Sequence, residues 1–190
     1  MEEDRRAQQL AELERQLLED RPVDWDSLPD IPLYMDQVVS YLSRQLIGFG
    51  RGDTLTSAMV NNYIKDGLVP RAQGKRYGKE HLVYLTLVAA VKQVLSVRDM
   101  KALMEGVNGP LDAQHLYQTF QDGLDVALKN TQDHMEHFPD REENLSGLAL
   151  SLALRSYADA LACRRVVELL RPPEEDKKKK KSRDEESITL

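Results

Sequence analysis

The sequence predicts a mainly all-α protein, with one short basic connection of loop or two-stranded form between its helices and a helical carboxy-terminal region behind them. Three observations carry that expectation. Apolar residues recur three and four apart along most of the chain, as the buried stripe of a helix requires. Extended or looped structure is signalled only in Pro- and Gly-bearing segments. Of the 190 residues 41% are hydrophobic, enough for one sizeable core or two small ones.

The elements follow in order. Residues 2–19 set Ala7, Leu10, Leu13 and Leu17 in a stripe among charged residues, an amphipathic helix that needs a partner surface. The segment 21–32, RPVDWDSLPDIP, holds three prolines and is predicted to be an extended strap with Trp25 as its anchor. From Tyr34 to Ile47 the residues Met35, Val38, Val39, Leu42 and Leu46 mark a first core helix, broken by Gly48, Gly50 and Gly52. Thr56 is placed to cap a short second helix that buries Met59, Val60, Tyr63 and Ile64, with Gly67 as its left-handed stop. Ser57, Asn61 and Lys65 lie four apart on its other side. The stretch from Val69 to Tyr77 is too polar for core and reads as a short two-stranded wing or loop, its cations facing water.

Beyond it, Lys79 to Leu95 is predicted as a helix buried nearly all round, Thr86 being its one clearly polar member between Leu82 and Val91. Ser96 and Asp99 form a capping-box-like start for a further helix carrying Met100, Leu103 and Met104, which Gly106 is expected to end. Asn108, Gly109 and Pro110 mark a boundary. Ala113, Leu116, Tyr117, Phe120, Leu124 and Leu128 form the stripe of a sixth helix, and a polar link through Pro139 leads to a long helix at about 145–170. From Glu174 onward six positive and six negative charges with almost no apolar residues predict disorder. The chain thus divides into an amino-terminal helix and strap (1–30), a central unit (31–106), a helical unit (107–171) and a charged tail (172–190).

Charge and cysteine usage narrow the function. A net charge of -6 opposes binding of polyanions by the whole surface, so any nucleic-acid contact must be local. A local patch exists. Between Arg51 and Lys79 six cations face two carboxylates, a segmental charge of +4 in an acidic protein. Cys163, the single cysteine, suggests a reducing compartment, and the charged amino terminus and absence of a long apolar run place the protein in the cytoplasm, off the membrane. No nucleophile triad, paired carboxylates or metal constellation is found, so neither an enzyme nor a cofactor is expected. His134 and His137, beside Asp133 and Glu136, read as an exposed helix end. Gly48 to Gly52 follows a helix and lacks the Lys-Ser ending of a phosphate loop.

The order helix, glycine-bearing connection, polar-faced helix, basic wing, apolar helix and capped short helix resembles the MerR-type winged helix-turn-helix. There a recognition helix ends in Tyr-x-x-x-Gly-Leu-x-Pro, matched by Tyr63, Gly67, Leu68 and Pro70. The wing of that family is matched by Lys75-Arg76-Tyr77-Gly78-Lys79-Glu80, and its fourth helix by the start at Leu95 to Met100. More closely, LTSAMVNNYIKDGLVPRAQGKRYGKEHL with the helices after it resembles a bacterial family of unknown function, 1836, over roughly residues 31–106.

The resemblance implies a DNA-binding regulator whose second helix enters the major groove of double-stranded DNA while the wing rests on the backbone. Ser57, Asn61, Asn62 and Lys65 are then the base- and phosphate-reading side chains, and Arg71, Lys75 and Arg76 contact phosphates or a minor groove. Two departures stand out: Asn61 lies where MerR proteins usually carry an arginine, and the connection IGFGRGDT is longer than theirs. They open an alternative, a protein-interaction module on the same scaffold. A single module offers little buried area, so a homodimer is expected, joined by the carboxy-terminal helices through residues such as Leu148, Leu150, Leu152 and Leu154, with an effector of unidentified kind.

Overall fold

Each apolar stripe of helical period folds as a helix, and the described residues contain α1 (Glu2–Glu19), α2 (Met35–Leu42), α3 (Ser57–Lys65), α4 (Lys79–Val91), α5 (Val97–Val107), α6 (Ala113–Glu136) and α7 (Leu145–Leu169). The computed structural model describes residues 2–45, 55–107 and 112–171. The glycine loop at 48–52, the expected boundary at Asn108 to Pro110 and the charged tail lie outside those residues. Two isolated antiparallel bridges, Leu33 with Tyr77 and Gln73 with Arg76, are formed, and no strand is present among the described residues. None of the helices is long and apolar enough to cross a membrane.

The predicted spine is α4. Leu82, Val83, Leu85 and Val88 on it are fully buried, and Thr86 satisfies its hydroxyl by donating to the Leu82 carbonyl at 2.8 Å. Around it pack Val38 and Leu42 of α2, Val60 and Tyr63 of α3, Met100 and Met104 of α5, Leu116 and Tyr117 of α6, and Val167 of α7. The strap closes this core. Leu28 is its deepest residue, whereas Trp25 is only half-buried within a 3-10 turn, Trp25–Ser27. The expected anchor is therefore a cover: the compact leucine fits the interior, and the larger indole stays at the edge, with the Lys79 ammonium 5.1 Å from its ring centre.

The partner that α1 requires is supplied by the same chain. Leu10 and Leu17 are buried with Met135 of α6 and Leu148 of α7 in a second apolar cluster. Each buried leucine contributes roughly 1.5–3 kcal/mol. Ion pairs Arg141–Glu14 and Arg21–Asp125 flank the contact.

Several boundaries differ from expectation. The first core helix ends at Leu42, with turns as far as Gln45, and α4 ends at Val91 rather than Leu95. Gly106 lies inside α5 and does not stop it; a Cβ there would stand 3.3 Å from Leu170 Cδ1, so the glycine serves the close approach of the end of α7. The α6 helix continues past the apolar stripe to Glu136. Its start is fixed by Asp112, which accepts the His115 amide at 2.8 Å, and that of α7 by Asn144, which accepts the Gly147 amide at 3.0 Å.

Candidate functional site

The polar-faced helix α3 is set by local chemistry at both ends. Thr56 Oγ1 accepts the Met59 amide at 3.2 Å, the expected N-cap. At the other end Gly67 adopts φ +77°. Its amide donates to the Ile64 carbonyl at 3.2 Å, and the Leu68 amide donates to the Tyr63 carbonyl at 2.9 Å. That pair of bonds is a Schellman stop, and Leu68 and Tyr63 are buried together beneath it. Burial of Val60 and Tyr63 fixes the rotation of the helix. Ser57, Asn61, Asn62 and Lys65 are in consequence exposed.

The connection from Leu68 to Tyr77 is held at both ends as well. Leu68 and Val69 enter the core, and Tyr77 exchanges both backbone hydrogen bonds with Leu33 at 2.9 Å. Between them the chain reverses at Gln73-Gly74-Lys75-Arg76, where the Arg76 amide donates to the Gln73 carbonyl at 3.0 Å. Gly74 and Lys75 both have positive φ, 57° and 63°, the signature of a type I′ turn. Of the two forms the sequence leaves open, a two-stranded wing or a loop, the described residues show a loop closed by a single tight turn with one antiparallel bridge, Gln73 with Arg76. Its returning limb pairs with the strap at Leu33, which takes the backbone groups a second wing strand would need.

The cations divide into free and engaged. Arg71, Lys75 and Arg76 are all exposed. Arg76, however, donates to the Tyr34 hydroxyl at 3.1 Å and lies 5.2 Å from that ring's centre. Lys79, counted in the +4 patch, is paired with Asp30 at 2.8 Å and mostly covered, so it adds little to the local field. Among the described residues, Lys65, Arg71 and Lys75 have no ion-pair or hydrogen-bonding side-chain partner. His81 positions Arg71: its Nδ1 accepts the Gly78 amide at 3.2 Å, which leaves the neutral ring's proton on Nε2, 3.4 Å from the Arg71 carbonyl. The ring stands edge-on to Tyr77 at 5.6 Å.

One cation escaped the sequence reading. Lys101 of α5 brings its Nζ within 3.9 Å of where a Cβ of Gly67 would stand, beside the partly negative carboxy-terminal end of α3. Only a contact between α3 and α5 could reveal it.

The histidine pair at the end of α6 separates. His134 is half-buried and bonds Ser151 Oγ of α7 at 2.8 Å, and His137 Nδ1 bonds the Asp133 carbonyl at 2.8 Å. No metal-binding group of three or more such ligands occurs among the described residues. An open groove of about 800 Å³ lies where α1, α6 and α7 meet, floored by Leu13, Leu17, Met135 and Leu152 with Arg155 and Asp159 at α7. Leu148, expected at a subunit interface, is buried inside the chain, as is most of Leu152.

The fold and these residues define a helical protein with a capped polar helix and a cationic turn. The chain belongs to the family described as Domain of unknown function (DUF1836), whose model matches residues 23–120. No curated protein and no solved structure matches it. The matched segment runs from Val23 to Phe120, residues that both pack against the main core.

Proposed function

We propose that this protein is a cytoplasmic transcription regulator that binds double-stranded DNA in the manner of a MerR-like winged helix, with α3 in the major groove and the turn at Gln73–Arg76 on the backbone. The observation that carries the reading is the placement of Lys75. It occupies a left-handed conformation that costs a non-glycine residue roughly 1–2 kcal/mol, at a turn position glycine would fill without strain, and it holds a free ammonium in water. Strain kept at an exposed cation supports a contact with an anion. Asn61 and Asn62 on α3 suit adenine edges, Lys65 a guanine or phosphate, and Ser57 either. Arg71 suits a phosphate.

A second reading, a protein-interaction surface on the same scaffold, is favoured by the engagement of Arg76 with Tyr34 and of Lys79 with Asp30. One experiment separates the two. Duplexes bound by the full chain are selected from a random pool, and the affinity of the winner is followed against salt. Regulation through DNA requires enrichment of a sequence and a negative log-log slope. No enrichment and no salt-dependent binding overturn it and leave the interaction surface.

A further inference from the structure

The α7 helix is fastened in its first two turns and again from Cys163 onward. Leu148 is buried against α1 and α6, and Val167 reaches the main core. Between them no residue from 149 to 166 is buried. The outer side of this span carries Leu150, Leu154, Tyr157 and Leu161, which are 61%, 59%, 69% and 44% exposed. They are spaced four, three and four apart, the interval of a coiled-coil seam. Helical geometry sets them opposite Leu148, Leu152 and Cys163, the residues by which α7 faces its own chain.

We propose that this seam is the contact between two copies of the protein, packed α7 against α7 about a two-fold axis. Three properties of the face select a second copy. It is uncharged: Arg155 and Asp159 are the charged residues between Leu145 and Cys163, and both line the groove on the inner side. A charged helix or a nucleic acid therefore finds no counter-charge along it. It is self-complementary. With the axis between residues 155 and 156, antiparallel helices set Leu150 against Leu161 and Leu154 against Tyr157, with the small Ala153 and Ala158 on the two flanks of the seam. The small flanking residues let the backbones approach, as an isologous interface demands. Its area suits a weak, concentration-dependent dimer, at the low end of the range for interfaces. At roughly 150–200 Å² for a fully exposed large apolar side chain, the four offer on the order of 400 Å² per protomer, and with the flanking alanines the pair nears the roughly 1,000 Å² of a specific interface. The seam does not use the residues assigned to DNA, so the inference stands apart from that reading.

Sedimentation equilibrium of the full chain tests it. The wild type is expected to be a dimer at roughly 100 µM, and Leu150→Ala with Leu154→Ala to weaken association by on the order of 100-fold. Alanine favours helix and both side chains are exposed, so circular dichroism should show the helices retained. Leu150→Asp with Leu154→Asp should give a folded monomer, whereas Leu148→Asp should unfold the amino-terminal cluster. A wild type that remains monomeric at that concentration overturns the proposal. A dimer whose association is unchanged in the alanine variant does so equally, since another surface then holds the copies together.

Discussion

The hydroxyl of Tyr117 donates a hydrogen bond to the carbonyl of Val23 at 2.8 Å across a sequence separation of 94 residues. It joins the start of the strap to α6, and so ties together the two ends of the segment that the family model matches. Gln121 adds a weaker bond from its amide to the same carbonyl at 3.3 Å. The strap is thereby fastened to α6.

Tyr117→Phe should destabilise the protein by about 1 kcal/mol, the net worth of one buried hydrogen bond. Urea unfolding followed by the fluorescence of Trp25, the single tryptophan, measures it. Burial pushes the Tyr117 hydroxyl up to about 12. Its folded value lies above the unfolded one near 10, so its contribution is complete below about pH 10 and is lost as pH rises towards 12. An ultraviolet titration of wild type against Tyr117→Phe should show that the variant lacks one tyrosine of late ionisation, beside Tyr41, Tyr63, Tyr77 and Tyr84, which burial also pushes up.

Tyr41→Phe should act oppositely. Its hydroxyl is buried and has no hydrogen-bond partner among the described residues. Removing it relieves a desolvation cost at little loss of packing, and stability should be unchanged or higher by up to about 1 kcal/mol. A loss as large as that of Tyr117→Phe would reveal a partner for this oxygen.

Gly67→Ala and Lys75→Gly form a pair with contrasting signs. The first forces a Cβ onto φ +77° and should cost about 1–2 kcal/mol, read as a lower melting temperature. The second removes strain at φ 63° and should raise stability by up to about 1 kcal/mol, yet weaken DNA binding and lower the salt slope by about 1. A lysine-to-glycine variant with full affinity would remove Lys75 from the interface.

Changing Arg71, Lys75 and Arg76 together to alanine should weaken binding to every duplex alike, lowering the slope by about 1 for each phosphate that is no longer neutralised. Because Arg76 is already held by Tyr34, restoring it alone should recover less than restoring Arg71. Equal recovery would mean that DNA displaces the tyrosine.

Removal of residues after Arg171 should leave fold and binding intact, but Arg171→Ala should not. Asp99 receives the Ser96 hydroxyl at 2.6 Å and the Arg171 guanidinium, linking the start of α5 to the end of α7. The Ser96 hydrogen bond, with Arg171 beside it, holds the Asp99 carboxyl below its ordinary range. Its stabilisation is complete above the unfolded carboxylate value near 4 and is lost as pH falls below it. The difference in stability between wild type and Asp99→Asn should therefore shrink on acidification.

What the sequence determined by itself is what depends on near neighbours. Thr56 as cap, Gly67 as stop, the buried side of α3 and the enclosed α4 were all legible, because capping bonds and helical period act within a few residues. The polar face of α3 was legible for the same reason. Tertiary structure decided the rest. In α7 the run LSGLALSLAL is apolar around its whole circumference, so periodicity could not tell Leu148, which faces α1, from Leu150, which faces water. The choice between wing and loop fell to a loop with a tight turn because Leu33, some forty residues earlier, took the backbone bonds of Tyr77. Arg76 and Lys79 were counted as free charge until Tyr34 and Asp30 were brought beside them. Which face meets which, and which charge is spent inside the chain, depends on contacts between distant segments, and no local pattern encodes them.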